Sequence, residues 1–187
     1  MGFEESLIRN AAPTLAGIKV ANLYNFKFAD LGECTRMIAG MNRKLNSKGI
    51  YIELMKGENN FYLLYVYRRT QLLNLLNRCE IKGFLYEFGY DVSSEFVITS
   101  YLRTLKERIA STEGFPHEIG VFLGYPIADV KEFIRQKGEG CALCGEWKVY
   151  YDVQSAMCFF CKLKKCKEVY VRVYKAGRSL YDMTVNA

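Results

Sequence analysis

Residues 50–67 constrain the fold of this chain more than any other stretch. Ile50–Met55 alternates apolar and polar side chains, Lys56-Gly57-Glu58-Asn59-Asn60 is a cluster of turn formers, and Phe61–Tyr67 is a run of apolar and aromatic residues. A period of two puts every second side chain on one face, and so short a polar break leaves room only for antiparallel pairing. A hairpin of this kind cannot bury its apolar face alone; it needs another strand and helices laid against it. The neighbouring sequence offers both. Lys19–Phe28 is apolar and aromatic and reads as a first strand, while Leu31–Leu45 has helical spacing and stops at Lys48-Gly49. Further helices are expected at Ser6–Leu15, broken by Pro13, and at Thr70–Phe88, bent near Gly83, with Leu72, Leu73, Leu75 and Leu76 as its core stripe. Others follow at Glu95–Ala110, capped by Ser93 or Ser94, and at Val153–Lys175, with Trp147–Tyr151 as a short strand candidate. The expected fold class is α+β: a helix-rich single domain, residues 1–187, around a small, mostly antiparallel sheet, with a basic C-terminal helix at about 153–175.

Half of the 187 residues are hydrophobic, enough for a core that needs no disulfide staple. The opening MGFEESLIRN carries Glu4 and Glu5 where a secretory signal has basic residues, and no apolar run of 18 residues exists. The expectation is a cytoplasmic protein with no membrane partner. Its seven cysteines then read as reduced thiols or metal ligands, and their odd number argues against a complete disulfide framework. The net charge of +6 is uneven: residues 1–130 hold 15 basic and 14 acidic side chains, residues 131–187 hold 11 and 6. The excess gathers around Lys162, Lys164, Lys165 and Lys167, either as a solvated helix face or as a contact for nucleic acid or another polyanion.

Four constellations carry chemistry. The segment FPHEIGVFLGYP, residues 115–126, holds the only histidine, His117, followed by Glu118, and two of the three prolines. A histidine beside a carboxylate suits acid/base work, which makes His117 and Glu118 the catalytic candidates, but a histidine at a helix start also packs locally. The cysteines Cys141-x-x-Cys144 and Cys158-x-x-Cys161, with thirteen residues between the pairs, have zinc-knuckle spacing. Met157, Phe159 and Phe160 around the second pair favour buried thiols instead, and an iron–sulfur cluster or redox pair is a third reading. Ile119–Phe133 fits a helix-turn-helix, with Gly120, Gly124, Val130 and Phe133 at the right spacings, although Asp129 and Glu132 on the second helix oppose phosphate. Tyr65-Val66-Tyr67-Arg68-Arg69 places arginines at a strand end, where they can clamp an anion or simply leave the sheet.

Two short motifs, Pro116-His117-Glu118 and Leu123-Gly124-Tyr125-Pro126, resemble those of a bacterial domain-of-unknown-function family common in anaerobic Firmicutes. Ala12–Lys19, Tyr65–Arg68 and Trp147–Tyr150 match it as well, so the resemblance spans nearly the whole chain. It implies one domain and no established activity. It also implies that both cysteine pairs are not required, which weighs against zinc, and a genomic setting near flavodoxin or iron-uptake genes, which favours a redox or iron context over DNA reading. The resulting expectation is a binding protein for a small anionic or metal-containing ligand. Lys19 and Arg68 would be charge partners, His117 the hydrogen-bonding or acid/base group, Tyr125 and Trp147 walls, and Lys148 and Tyr150 further contacts. A helix-turn-helix regulator and an enzyme using His117 as acid/base are the alternatives.

Overall fold

The computed structural model describes residues 2–93, 97–111 and 115–186. The chain packs as two compact units, Met1–Asn74 with Cys166–Ala187, and Leu75–Lys165.

The first unit is built on the hairpin. Strand β1 (Ala21–Lys27), β2 (Ile50–Glu58) and β3 (Phe61–Arg68) form an antiparallel sheet in the order β1-β3-β2. The hairpin is longer than the alternation indicates, because the turn needs only Asn59 and Asn60, both at positive φ (50° and 64°). Asparagine tolerates that backbone, and two such residues make the turn whose twist matches paired strands. Lys56, Gly57 and Glu58 therefore join β2, with a register shift between Leu54 and Lys56. Helices α1 (Phe3–Leu15) and α2 (Leu31–Leu45) complete the unit with a 3-10 turn at Asn46–Lys48, α9 (Leu180–Met183) and the final turns of α8 (Val153–Lys175). Phe3, Leu7, Ile8, Ala11 and Leu15 of α1 share one core with Ile38, Met41 and Leu45 of α2. Ile50, Ile52, Leu64 and Val66 of the sheet, Leu180 and Met183 close it. The α2 bounds match the expected helix. Asp30 caps it by accepting from the Glu33 amide (2.7 Å), and Gly49, at φ 76°, turns the chain into β2.

Two expectations about breaks are corrected. Pro13 does not break α1; it sits inside the last turn, and its carbonyl accepts from the amides of Ile18 and Lys19. The partner its missing N–H denies is the carbonyl of Arg9, an exposed residue that water can serve. The long helix at 70–88 is two helices, α3 (Arg69–Leu76) and α4 (Cys79–Tyr86), parted at the extended Arg78. Gly83 lies inside α4: a helical glycine costs only ~1 kcal/mol, and burial of Ile81, Phe84 and Leu85 outweighs it.

The second unit holds α4, α5 (Val97–Ser111), α6 (Ile119–Phe122), α7 (Ile127–Arg135), the two-residue strands β4 (Leu143–Cys144) and β5 (Lys148–Val149), and the first turns of α8. The expected start of α5 at Glu95, and Ser94 as its cap, lie outside the described residues. Trp147–Tyr151 is not a strand throughout; only Lys148 and Val149 pair, with Cys144 and Leu143. No helix among the described residues is long and apolar enough to cross a membrane.

Candidate functional site

The site in the second unit is assembled by the turn between α6 and α7. Gly124, at φ 76°, ends α6, and Pro126 precedes α7 with its fixed φ of −54°. Gly120 allows the two helices to touch: a Cβ there would lie 2.8 Å from Val130 Cγ2 and 3.3 Å from the Tyr125 ring. This close crossing leaves Phe133 facing His117, whose ring meets it edge-on at 5.0 Å. The β4–β5 hairpin forms the opposite wall. Trp147 stacks on Tyr125 (5.1 Å between ring centres) and meets Phe160 of α8 edge-on at 4.6 Å.

One buried carboxylate ties the walls together. Asp129, on α7, accepts from Trp147 Nε1 (2.8 Å) and from the main-chain N–H of Tyr150 (2.9 Å). Both acceptor bonds fix β5 and its indole against α7. Between the walls lies a cavity of about 460 Å³, lined by Phe115, His117, Tyr125, Phe133, Trp147 and Lys148 among others. Its surface is overwhelmingly apolar. The polar groups at hand are few. Among the described residues, the His117 imidazole makes only the edge-on contact with Phe133. Lys148 spends one N–H on the Gly138 carbonyl (2.6 Å) with its ammonium near the Phe133 face, leaving two N–H donors on that nitrogen. Cys144 also lines the cavity. Burial pushes the Tyr125 hydroxyl up to about 12, with Glu146 adding to it, so this wall stays a neutral phenol.

The expected site residues fall into three groups. His117, Tyr125, Trp147 and Lys148 line this cavity. Glu118 does not: it is buried, accepts from Arg108 Nε and from the Tyr90 hydroxyl (3.2 Å), and serves the interior of the unit. Burial, and then the adjacent Glu118 carboxylate, raises the Tyr90 pKa. Tyr150 contributes its main chain to Asp129 while its hydroxyl is buried with no hydrogen-bond partner among the described residues. Lys19 and Arg68 belong to the other unit, and both are buried there. Arg68 follows Tyr62, Leu64 and Val66 on the core face of β3. Its guanidinium donates to the carbonyls of Thr14 (2.6 Å), Leu15 (2.6 Å) and Val185 (2.8 Å), tying α1 and the C-terminal tail to the sheet.

The segments that carry the cysteine pairs adjoin at Gly145 and Phe160. Among the described residues no group of three or more His, Cys, Asp or Glu could hold a metal ion, so Cys141, Cys144, Cys158 and Cys161 form no four-ligand cluster. Buried thiols are not the explanation either, because Cys144, Cys158 and Cys161 are exposed. On α8 the buried positions are Ala156 and Leu163, and at about 100° per residue Cys158 and Cys161 lie on the opposite side. In the 119–133 hairpin, α6 is only four residues long and Asp129 and Val130 of α7 are both buried.

Sequence reasoning missed Asp129 as an organising group and Phe133 as a cavity wall. A lone acid among Ile127, Ala128 and Val130 was the available signal. No curated protein and no solved structure matches this chain. A family model does, over residues 7–184, described as a protein of unknown function (DUF3793). The match covers nearly the whole length, and the chain belongs to that family.

Proposed function

We propose that this chain is a binding protein whose second unit takes a small, flat, largely apolar molecule bearing one acidic group. The observation that carries the reading is the cavity itself: aromatic rings of Tyr125, Trp147 and Phe133 on its walls, with Lys148 and His117 as the polar groups placed among them. Apolar walls with a few convergent polar groups are the usual form of a small-molecule site. A planar ring stacks favourably against such walls. An anionic substituent would take the free N–H donors of Lys148, at a place where low polarity strengthens the charge interaction. Asp129 does not oppose the anion as a bare charge, since both of its oxygens already accept hydrogen bonds.

Trp147 is the only tryptophan in the chain and lines the cavity, so its fluorescence reports occupancy directly. The test compares naphthalene-2-sulfonate with naphthalene, one ring system with and without the anionic group. The sulfonate is expected to change Trp147 emission saturably and to bind at least tenfold more tightly than naphthalene. Lys148→Met is expected to remove most of that difference. The reading is wrong if neither compound perturbs Trp147, or if the two bind equally in the wild type.

A second reading, an enzyme using His117 as acid/base, is supported by an imidazole that makes no hydrogen bond among the described residues and lines the cavity. It requires turnover of a bound compound that His117→Gln abolishes while binding persists. Binding without any turnover leaves the binding-protein reading alone.

A further inference from the structure

The charge of this chain is concentrated on one helix. Val153–Arg178 holds seven of the 26 Lys and Arg residues and only one of the 20 Asp and Glu residues, Glu168. The remainder of the chain is thus electrically balanced, and the whole net charge of +6 resides on α8 and the turn that follows it. The side chains are displayed outward: Lys162, Lys164, Lys165, Arg172, Lys175 and Arg178 are all exposed. The opposite face is already occupied within the first unit, where Tyr170, Val171, Val173 and Tyr174 pack on its core. There the helix also borders an open groove of about 570 Å³, lined by Arg9, Lys167, Glu168, Val171, Arg172 and Lys175. Arg9 shares its charge with Glu5 (2.7 Å), and Glu168 is an acid within the groove, so the cation excess there rests on Arg172 and Lys175.

We propose that this face of α8 is a binding surface for the phosphate backbone of double-stranded nucleic acid, engaged without regard to base sequence. The exposed Lys162, Lys164, Lys165, Arg172 and Lys175 fall within about 160° around α8, so the solvent side of the helix presents cations to a polyanion. Lys162 to Lys175 spans ~20 Å at 1.5 Å per residue, comparable with about six base pairs of duplex. Neutralising four to six phosphates gives binding that falls steeply with salt, with a log–log slope of about −4 to −5. A lipid surface is the weaker match. A helix lying in a bilayer interface buries its apolar face in lipid, and here that face packs against protein. The surface is separate from the residues lining the aromatic cavity, so this inference stands or falls independently of the ligand reading.

The test is fluorescence anisotropy with the full chain and two labelled 20-base-pair duplexes of unrelated sequence, from 50 to 300 mM salt. Affinities within about twofold for the two sequences, and the slope given above, are expected. Arg172→Glu/Lys175→Glu and, separately, Lys164→Glu/Lys165→Glu are expected to weaken binding at least tenfold at 100 mM salt. Glu168→Lys is expected to tighten it. A control pair on the exposed face of α2, Arg36→Glu/Arg43→Glu, makes the same change in net charge and is expected to weaken binding less than threefold. Circular dichroism confirms that each variant is folded. The inference is overturned by no binding at 50 mM salt, or by a control pair as damaging as the α8 pairs. It is equally overturned if the protein sediments with phosphatidylserine vesicles and ignores the duplexes.

Discussion

Replacing Arg68 by Met tests whether this arginine builds the fold or waits for a ligand. The side chains have similar length, so the change removes the guanidinium while keeping an apolar stem in the core. Three acceptors lose their donor: the carbonyls of Thr14, Leu15 and Val185. Hydrogen bonds from a charged donor contribute about 1.5–3 kcal/mol each, and a buried carbonyl left bare costs about 1–3. Part of this is offset, because burial lowers the Arg68 pKa, which shows that the fold holds the cation against its own desolvation. The balance resembles the ~3–5 kcal/mol loss found when one partner of a buried charged interaction is removed. Arg68→Met should therefore destabilise the first unit by about 3 kcal/mol. Lys, with a compact ammonium that cannot span three carbonyls as a planar fork does, should recover only part of it. Urea unfolding followed by circular dichroism reads the loss as a lower midpoint. Hydrogen exchange by mass spectrometry locates it, because the Val185 amide donates to the Leu15 carbonyl beside Arg68 (3.1 Å) and should exchange faster. An Arg68→Met protein within 1 kcal/mol of wild type, with the tail still protected, would refute this account and return Arg68 to the list of free charges.

Two further perturbations probe buried groups. Glu118→Ala leaves Arg108 and the Tyr90 hydroxyl without their acceptor, and since Arg108 is about one-third exposed and can turn to water, the loss should sit near the low end, ~3 kcal/mol; Glu118→Gln should cost less, and equal costs would show that charge is irrelevant there. Burial, and then Glu33, pushes the Cys34 thiol up to about 11 from 9.0. A raised pKa means the unfolded state releases its proton first, so stability is intact below about pH 9 and declines between about pH 9 and 11. Cys34→Ala should flatten that decline in urea midpoints measured from pH 8 to 11, and an unchanged slope would sink the assignment.

Much of the fold was legible because local signals agreed with the global packing. The 31–45 and 153–175 helices have the expected bounds, since one has an Asp cap and both have a continuous apolar stripe to bury. Strand β2 was legible as alternation at Ile50–Met55, and β1 and β3 as apolar, aromatic runs at Lys19–Phe28 and Phe61–Tyr67. What was misread depends on tertiary context. Gly83 and Pro13 carry strong local breaking tendencies, yet burial beside one and the exposed residue Arg9 behind the other made both tolerable. The 77–78 break carries no glycine or proline; beyond the extended Arg78 the new helix buries Ile81, Phe84 and Leu85. Similarly, four cysteines at metal-binding spacing assume that a hairpin and a helix face each other correctly. Spacing fixes each pair and says nothing of how the pairs meet.

The site shows the same division more sharply. His117, Tyr125, Trp147 and Lys148 were identifiable as polar or aromatic residues inside apolar motifs, and they do line one cavity. Glu118 was chosen for its adjacency to His117, but neighbours on a helical turn point about 100° apart, and the carboxylate went to Arg108 on the interior side. Asp129 was counted as an unfavourable charge on a DNA-reading helix. In the fold it is the group that makes the cavity, for a buried carboxylate is tolerable only with donors on its oxygens. The donors that reach it come from Trp147 and Tyr150, some twenty residues later in the chain. The presence of an uncompensated acid on the buried side of α7 therefore requires the β5 segment to close over it. That closure sets Trp147 against Tyr125 and leaves the space between Trp147 and Phe133 as a cavity rather than a packed core.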